Sequence, residues 1–436
     1  GVNAYQAYFF TVVKTYALTG FLLTLGFWVL AAAERKRRAA LFALAGVLTA
    51  LAACTRSSAG FALPVVVLGL VGAAMRERHR RDIAGDSAAE GDRRRLGVGA
   101  AAFAAGAAAT CLVAFGPFLL RAPHGVWFAM VEYHAGRATG GLANVSAYKA
   151  GFISRLVYAY YVSVALLSVL LIAKTGRSRA AAAPGRTHEP AGTITLRLAW
   201  VTVIAVTAVH FMAPFPYDDY QAFLYPLFTA ALAATLMRTL SGAPEERGDG
   251  DRRLRFARGT VACVLILAGL AAGSSPRNWD LLIGPRDRIW WPLKTQTPLQ
   301  RLGEAARWVR EHTSPDDVIL TQDTYLAVEA GRRVPPGLEL GPFSYFPDWP
   351  TEQARRIGVL NRDTMMTLLN EASAPAAAVS GYGFSVECPE IVPLPPEHRS
   401  ELIGAMERRY RHAGRIDHFG QANTTLNLYL RRPHTP

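Results

Sequence analysis

The sequence predicts an α-helical multi-pass membrane bundle of about eight transmembrane helices over residues 1–275, followed by a small α/β extracytoplasmic domain over residues 276–436. Three observations carry this expectation. The 436-residue chain is 51% hydrophobic but only 18% charged, against about 25% charged in ordinary soluble domains, and its apolar residues come in blocks. The net charge of +14 lies wholly among those blocks: residues 1–275 hold 28 Lys and Arg against 14 Asp and Glu, and the remainder holds 19 of each. Beyond residue 275 the blocks give way to amphipathic helices alternating with short apolar strands.

The blocks lie near 16–33, 40–55, 60–75, 96–120, 156–173, 198–214, 220–237 and 260–274. Each is long enough, or nearly so, to cross about 30 Å of hydrocarbon as a helix. Basic residues crowd alternate loops. Arg35, Lys36, Arg37 and Arg38 follow the first block, and Arg/Ala-rich connectors follow the third and fifth, at 76–95 and 174–190. Arg238, Arg247 and Arg252 begin the loop after the seventh. The intervening loops hold only Arg56, Arg121, Arg137, Lys149 and Arg155. This alternation is the positive-inside pattern, which puts the basic loops in the cytoplasm and both the first residues and the tail outside. It accounts for the excess charge without a nucleic-acid partner. The lipid bilayer is the partner it implies, at the cell inner (plasma) membrane.

Four cysteines, Cys54, Cys111, Cys263 and Cys388, show no metal spacing and no disulfide framework. The chain opens GVNAYQAYFF, without an initiator Met or a charged region ahead of an apolar run. The expectation is a fragment or a processed chain.

The tail yields an ordered series of elements. Pro298–His312 is an amphipathic helix with Leu299, Leu302, Ala306 and Val309 on one stripe. Residues 317–321 and 376–380 read as buried strands, Asn361 as an N-cap, and 397–411 as a second amphipathic helix. Residues 415–419 and 425–430 read as closing strands. The segment 332–349 is rich in Pro, Gly and aromatics and reads as an ordered loop. No dinucleotide fingerprint, P-loop, nucleophile elbow or zinc-protease motif occurs in a supporting context.

Candidate functional residues gather in the loops on the less basic side. His210 to Pro226, HFMAPFPYDDYQAFLYP, is the corner between two apolar runs. It carries Asp218 and Asp219, the aromatics Phe215, Tyr217 and Tyr220, and His210 about one helical turn inside the apolar run. Charges at the mouth of a membrane bundle cost about 3 kcal/mol or more unless paired or wet, so they are functional candidates. A solvated loop with tyrosines as interfacial anchors accounts for the same residues. Lys14 and Tyr16 stand at the mouth of the first span, and Arg56 is the single charge from Ala39 to Met75. Its planar fork suits a phosphate; a basic side chain that merely snorkels to the headgroups is the plainer alternative. The loop 121–151 adds Trp127, Phe128 and Met130, read as a short surface helix, then Glu132, His134 and Arg137. In residues 1–275 only Glu132, Asp218 and Asp219 are acidic and outside a cytoplasmic loop.

Four stretches together resemble a known family: KTYALTGFLLTL at 14–25, AGVLTALAACTRSSAGFALP at 45–64, PFPYDDYQAFLYPLF at 214–228 and RLGEAARWVREHTSPDDVILTQDTYLAVEAG at 301–331. Their order resembles the GT-C superfamily of membrane glycosyltransferases. The likeness is to the branch related to protein O-mannosyltransferases and aminoarabinose transferases (glycosyltransferase family 39). The resemblance implies inverting transfer of a sugar from a polyprenyl-phosphate donor to an acceptor of unknown identity at the outer face. It also implies a catalytic carboxylate in a first outer loop upstream of residue 1, so no residue here takes that role. Lys14, Tyr16, Arg56, Arg137, His210 and Tyr220 are the candidates for donor phosphate or lipid. Glu132, His134, Asp218 and Asp219 are the candidates for sugar hydroxyls or a divalent cation. No cofactor is demanded, and the metal requirement stays open. A transporter or flippase of lipid-linked saccharides, or a non-catalytic membrane assembly subunit, is the alternative. A transporter would favour charges or helix breaks at mid-membrane in paired positions, and the spans show none.

Overall fold

The computed structural model describes residues 15–84, 88–132, 141–154, 156–157, 160, 192–213, 215–241, 296–381, 383–384, 394–420 and 424–433. The expected span at 260–274, almost all of that at 156–173, and the candidates Lys14, His134 and Arg137 lie outside the described residues. The chain divides into two compact units, Gly1–Pro117 with Gly141–Ile289, and Phe118–Gly140 with Trp290–Pro436.

The first unit is helical. Its elements are α1 Tyr16–Lys36, α2 Ala39–Thr55, α3 Ala62–Ala84, most of α4 Ala88–Arg121, then α6 Thr193–Met212 and α7 Tyr225–Ser241; α5 belongs to the second unit. Four helical stretches among the described residues are long and apolar enough to cross a membrane: Tyr16–Lys36, Ser57–His79, Arg94–Arg121 and Thr193–Met212. α2 and α7 are apolar but have only 17 residues each, or about 26 Å at 1.5 Å per residue. The sequence places the start of the last of these at 220. The helix instead begins at Tyr225, because Asp218–Gln221 forms a 3-10 turn and residues 222–224 a further turn.

Small residues let these helices touch backbone to backbone. A Cβ on Gly46 of α2 would lie 2.1 Å from the Phe103 carbonyl oxygen, and one on Gly106 of α4 would lie 2.3 Å from that of Ala43. In a bilayer, where lipid is as apolar as leucine, such close approach supplies the packing that burial supplies in water. The buried side chains Leu23, Phe27, Leu30, Phe42, Val66, Leu70, Phe103 and Val206 fill the centre.

Contacts sort the helix ends. Glu34, near the end of α1, accepts hydrogen bonds from Gly192 N at 2.9 Å, Thr195 N at 2.9 Å and Thr195 Oγ1 at 2.7 Å. It thereby caps the start of α6, where free N–H groups and the helix dipole favour an anion. Arg238, at the end of α7, donates to Thr193 Oγ1 at 2.9 Å. The Arg35–Arg38 turn, the start of α6 and the end of α7 therefore share one end of the bundle. Thr19 and Thr55 pair their hydroxyls at 2.8 Å at the other end.

The second unit is an α/β layer domain. Its elements are α5 Pro123–Trp127, α8 Pro298–His312, β1 Ile319–Leu320, α9 Thr324–Ala330, α10 Thr351–Ile357, α11 Arg362–Glu371, β2 Ala376–Val379, α12 Pro396–Arg409, β3 Tyr410–Phe419 and β4 Thr424–Arg431. The sheet order is β1-β2-β4-β3, with β1 parallel to β2 and the other pairs antiparallel. β2 is buried on both faces. Ala377 and Val379 face the core under α11 and α12, with Met365, Leu369, Leu402 and Met406. Ala378 faces the core under α8 and α9, with Ala306, Val309 and Leu326. Capping boxes start α8 at Thr297 with Gln300 and α11 at Asn361 with Thr364.

The 118–140 segment, which the sequence groups with the bundle, belongs to this second unit. The physical reason is Phe128, which is buried in a π-helical turn, Phe128–Glu132, directly after α5. Its ring meets Phe346 edge-on at 5.8 Å and Trp349 at 5.4 Å, and those two stack at 4.3 Å. Phe346 and Trp349 of the 332–349 loop are thus packing residues, while Phe343 is 42% exposed. Of the expected surface helix only Trp127 and Met130 remain about half exposed.

Candidate functional site

Three separate stretches of chain meet at the end of the bundle opposite the Arg35–Arg38 turn. α1 starts at Tyr16, whose side chain is buried. α2 ends at Arg56, an extended C-cap residue with φ −153° and ψ 113°, before a 3-10 turn over Ser57–Phe61 reverses the chain into α3. α6 ends at Met212 and hands over to the corner, in which Phe215, Ala222, Phe223 and Leu224 are buried. The buried apolar groups anchor the corner, and this holds its polar residues in place.

Tyr16 donates its hydroxyl hydrogen bond to Asp219 Oδ2 at 2.5 Å, 203 residues away in sequence. The Arg56 guanidinium carbon lies 4.4 Å from the Tyr16 ring centre, 4.9 Å from that of Tyr220 and 5.8 Å from that of Phe223. Cation–π attraction reaches about 2 kcal/mol when the cation is desolvated, so three ring faces fix the guanidinium while its planar fork keeps donors for an anion. Tyr217 packs edge-on to Tyr220 at 5.4 Å.

His210 extends the cluster. It is 4% exposed, and its ring lies 5.6 Å from Tyr220 and 5.8 Å from Phe223. Thr207 Oγ1 donates to Gln221 Oε1 at 3.2 Å, and Gln221 Nε2 lies 3.1 Å from His210 Nδ1. With its oxygen accepting from Thr207, the Gln221 amide must donate to Nδ1. That puts the imidazole proton on Nε2. Nε2 is buried and has no hydrogen-bond partner among the described residues. An orphan N–H in so dry a place costs about 1–3 kcal/mol. It is a donor available to an acceptor such as a phosphate oxygen.

Of the residues nominated from sequence, Tyr16, Arg56, His210, Asp219 and Tyr220 come together here. Asp218 contributes its backbone to the 3-10 turn. Glu132 closes the π-helical turn of the second unit and is not part of the cluster. Among the described residues no group of three His, Cys, Asp or Glu side chains could hold a metal ion. Gln221, Thr207 and Phe223 were missed. Gln221 and Thr207 are neutral and were passed over in favour of charges, although Thr207 stands three residues before His210, on the same helix face.

Comparison of the chain with protein-family models, with curated proteins and with solved structures gives no match.

Proposed function

We propose that this chain is part of an integral-membrane glycosyltransferase that moves a sugar from a polyprenyl-phosphate donor at the outer face of the cytoplasmic membrane. The observation that carries the reading is the convergence of Tyr16, Arg56, His210, Asp219 and Tyr220 at the bundle end remote from the Arg35–Arg38 turn. The positive-inside rule makes that remote end the outer one. In this reading eight spans cross the membrane and the α/β unit is extracytoplasmic.

The chemistry follows from the groups. Arg56 and the His210 Nε2–H bind the phosphate that leaves with the lipid. They stabilise the charge that grows on it as the glycosidic bond breaks. Tyr220 and Phe223 keep the guanidinium dry enough for that charge to count. Asp219, held by Tyr16, accepts hydrogen bonds from sugar hydroxyls. The carboxylate that activates the acceptor hydroxyl is not assigned to any residue of this chain.

Two readouts test the proposal. The purified chain should retain polyprenyl phosphate in native mass spectrometry, and Arg56→Ala should reduce retention at least tenfold, with Arg56→Lys intermediate. The product of the whole gene, in proteoliposomes with a polyprenyl-phosphate sugar, should lose at least a hundredfold in transfer rate with Arg56→Ala, as removal of a single oxyanion-type donor does elsewhere. Export of intact lipid-linked saccharide without bond cleavage would instead establish the flippase reading.

A further inference from the structure

α2 and α4 lie against each other in one register. A Cβ on Gly99 would meet the Phe42 ring at 3.0 Å, and one on Gly46 would meet the Phe103 carbonyl oxygen at 2.1 Å. The same number of positions separates Phe42 from Gly99 and Gly46 from Phe103, so the two helices run in the same direction. Steps of four residues keep to one face of a helix. The next step reaches Ala50 and Ala107, both buried. The step after that reaches Cys54 and Cys111.

The two cysteines are free and half-buried, and their thiols share a hydrogen bond. Register and thiol contact thus agree on the pairing, which no spacing in the sequence announces. Small residues at Gly46, Ala50 and Ala107 leave no large side chain to hold the two backbones apart. A disulfide requires that approach, with Cα atoms within about 7 Å. Cys54 also lies at the end of the bundle that carries the candidate site. It precedes Thr55, whose hydroxyl pairs with Thr19 at the end remote from the Arg35–Arg38 turn, and Arg56 comes next. The positive-inside rule makes this the outer end, where disulfides form and persist.

We propose that Cys54 and Cys111 are a redox modification site, closing to a disulfide that staples α2 to α4 beside Arg56. The oxidant is a protein or small-molecule disulfide. One cysteine gives up its proton, and its thiolate attacks the donor disulfide, releasing the first donor sulfur as a thiol. The second cysteine gives up its proton and attacks the mixed disulfide. The Cys54–Cys111 bond then forms and the second donor sulfur leaves as a thiol. Two electrons and two protons pass to the donor. The inference rests on the sidedness of the bundle and is independent of glycosyl transfer.

The test treats the full chain in proteoliposomes with dithiodipyridine, an apolar disulfide that enters the bilayer. Remaining thiols are alkylated after denaturation, and the digest is read by mass spectrometry. The expected product links the Cys54 peptide to the Cys111 peptide, at least tenfold over any link to Cys263 or Cys388. Dithiothreitol should return both thiols. Cys54→Ser and Cys111→Ser should each abolish the link. Oxidation should raise the melting temperature of the wild type, because the bond constrains the unfolded chain, and leave that of the two variants unchanged. Mixed adducts or alkylated thiols at Cys54 and Cys111 with no bond between them would overturn the proposal. So would links to Cys263 or Cys388 formed as often, or a fall in the wild-type melting temperature on oxidation.

Discussion

Two carboxylates, one half-buried and one buried, show how differently an acidic residue is accommodated in this protein. Glu34 sits against the first turn of α6 and is matched by backbone N–H groups and a threonine hydroxyl. Hydrogen bonds to a charged group contribute about 1.5–3 kcal/mol each when one partner is removed. Glu34→Ala should therefore lower stability by about 2 kcal/mol, read as a fall in melting temperature in detergent, and Glu34→Gln should recover part of the loss. Asp323, at the carboxyl end of β1, is 2% exposed, and burial raises its pKa above the ordinary value of 3.8, opposed by hydrogen bonds from Tyr325 and Ser380. A carboxyl whose folded pKa is raised gives its full contribution below about pH 3.8, and that contribution is lost as the pH rises through the raised value. Asp323→Asn keeps the acceptor for the Tyr325 hydroxyl without the charge. Hydrogen exchange of the β1 and β2 amides should thus slow in Asp323→Asn at pH 7 and match the wild type near pH 4. Equal protection at both pH values would contradict this.

At the scale of elements, helices in the bundle are set by what lies between them. Gly46→Ala pushes a methyl group into the Phe103 carbonyl and should cost about 2 kcal/mol through overpacking. Gly72→Ala meets nothing within 4 Å and should not destabilise; melting temperatures of the two variants, side by side, decide the point. Elements with strong local signals were legible in the sequence. α8 runs over Pro298–His312 as expected, although it buries Ala305, Ala306 and Val309 and leaves Leu299, assigned to the stripe, 77% exposed, and Asn361 caps α11 through a capping box. β2 and β4 fall where short apolar runs placed strands, whereas β3 begins at Tyr410, five residues before the expected 415, and cuts short the helix expected to reach 411. α9 and α10 went unread because seven residues are two turns of helix, too few to display a period. The pairing of Phe128 with Phe346 and Trp349 joins residues more than 200 positions apart, which no local pattern encodes. The cluster at the Asp219 corner was half legible. Its charges announce themselves by their cost in an apolar setting, whereas Gln221 and Thr207 become visible only once His210 is seen to need a hydrogen-bond partner.

For the whole molecule, the described helices make a bundle with chemically unlike ends. One carries the Arg35–Arg38 turn and the Glu34 cap. The other carries one guanidinium enclosed by three aromatic rings, a tyrosine-held carboxylate and a histidine with an unmatched N–H. At the second end a positive charge is enclosed by aromatic rings, the setting that the proposed phosphate-binding role requires. The α/β unit is a separate compact unit whose strand β2 is buried on both faces, and among the described residues it supplies none of the cluster. The measurement that bears most directly on this account is transfer of sugar from a polyprenyl-phosphate donor by the whole gene product in proteoliposomes, wild type beside Arg56→Ala. The account predicts transfer by the wild type and a loss of at least a hundredfold in the variant, with its melting temperature kept within a few degrees. Transfer at the wild-type rate by a folded Arg56→Ala protein, or no transfer by the wild type from any such donor, would contradict it.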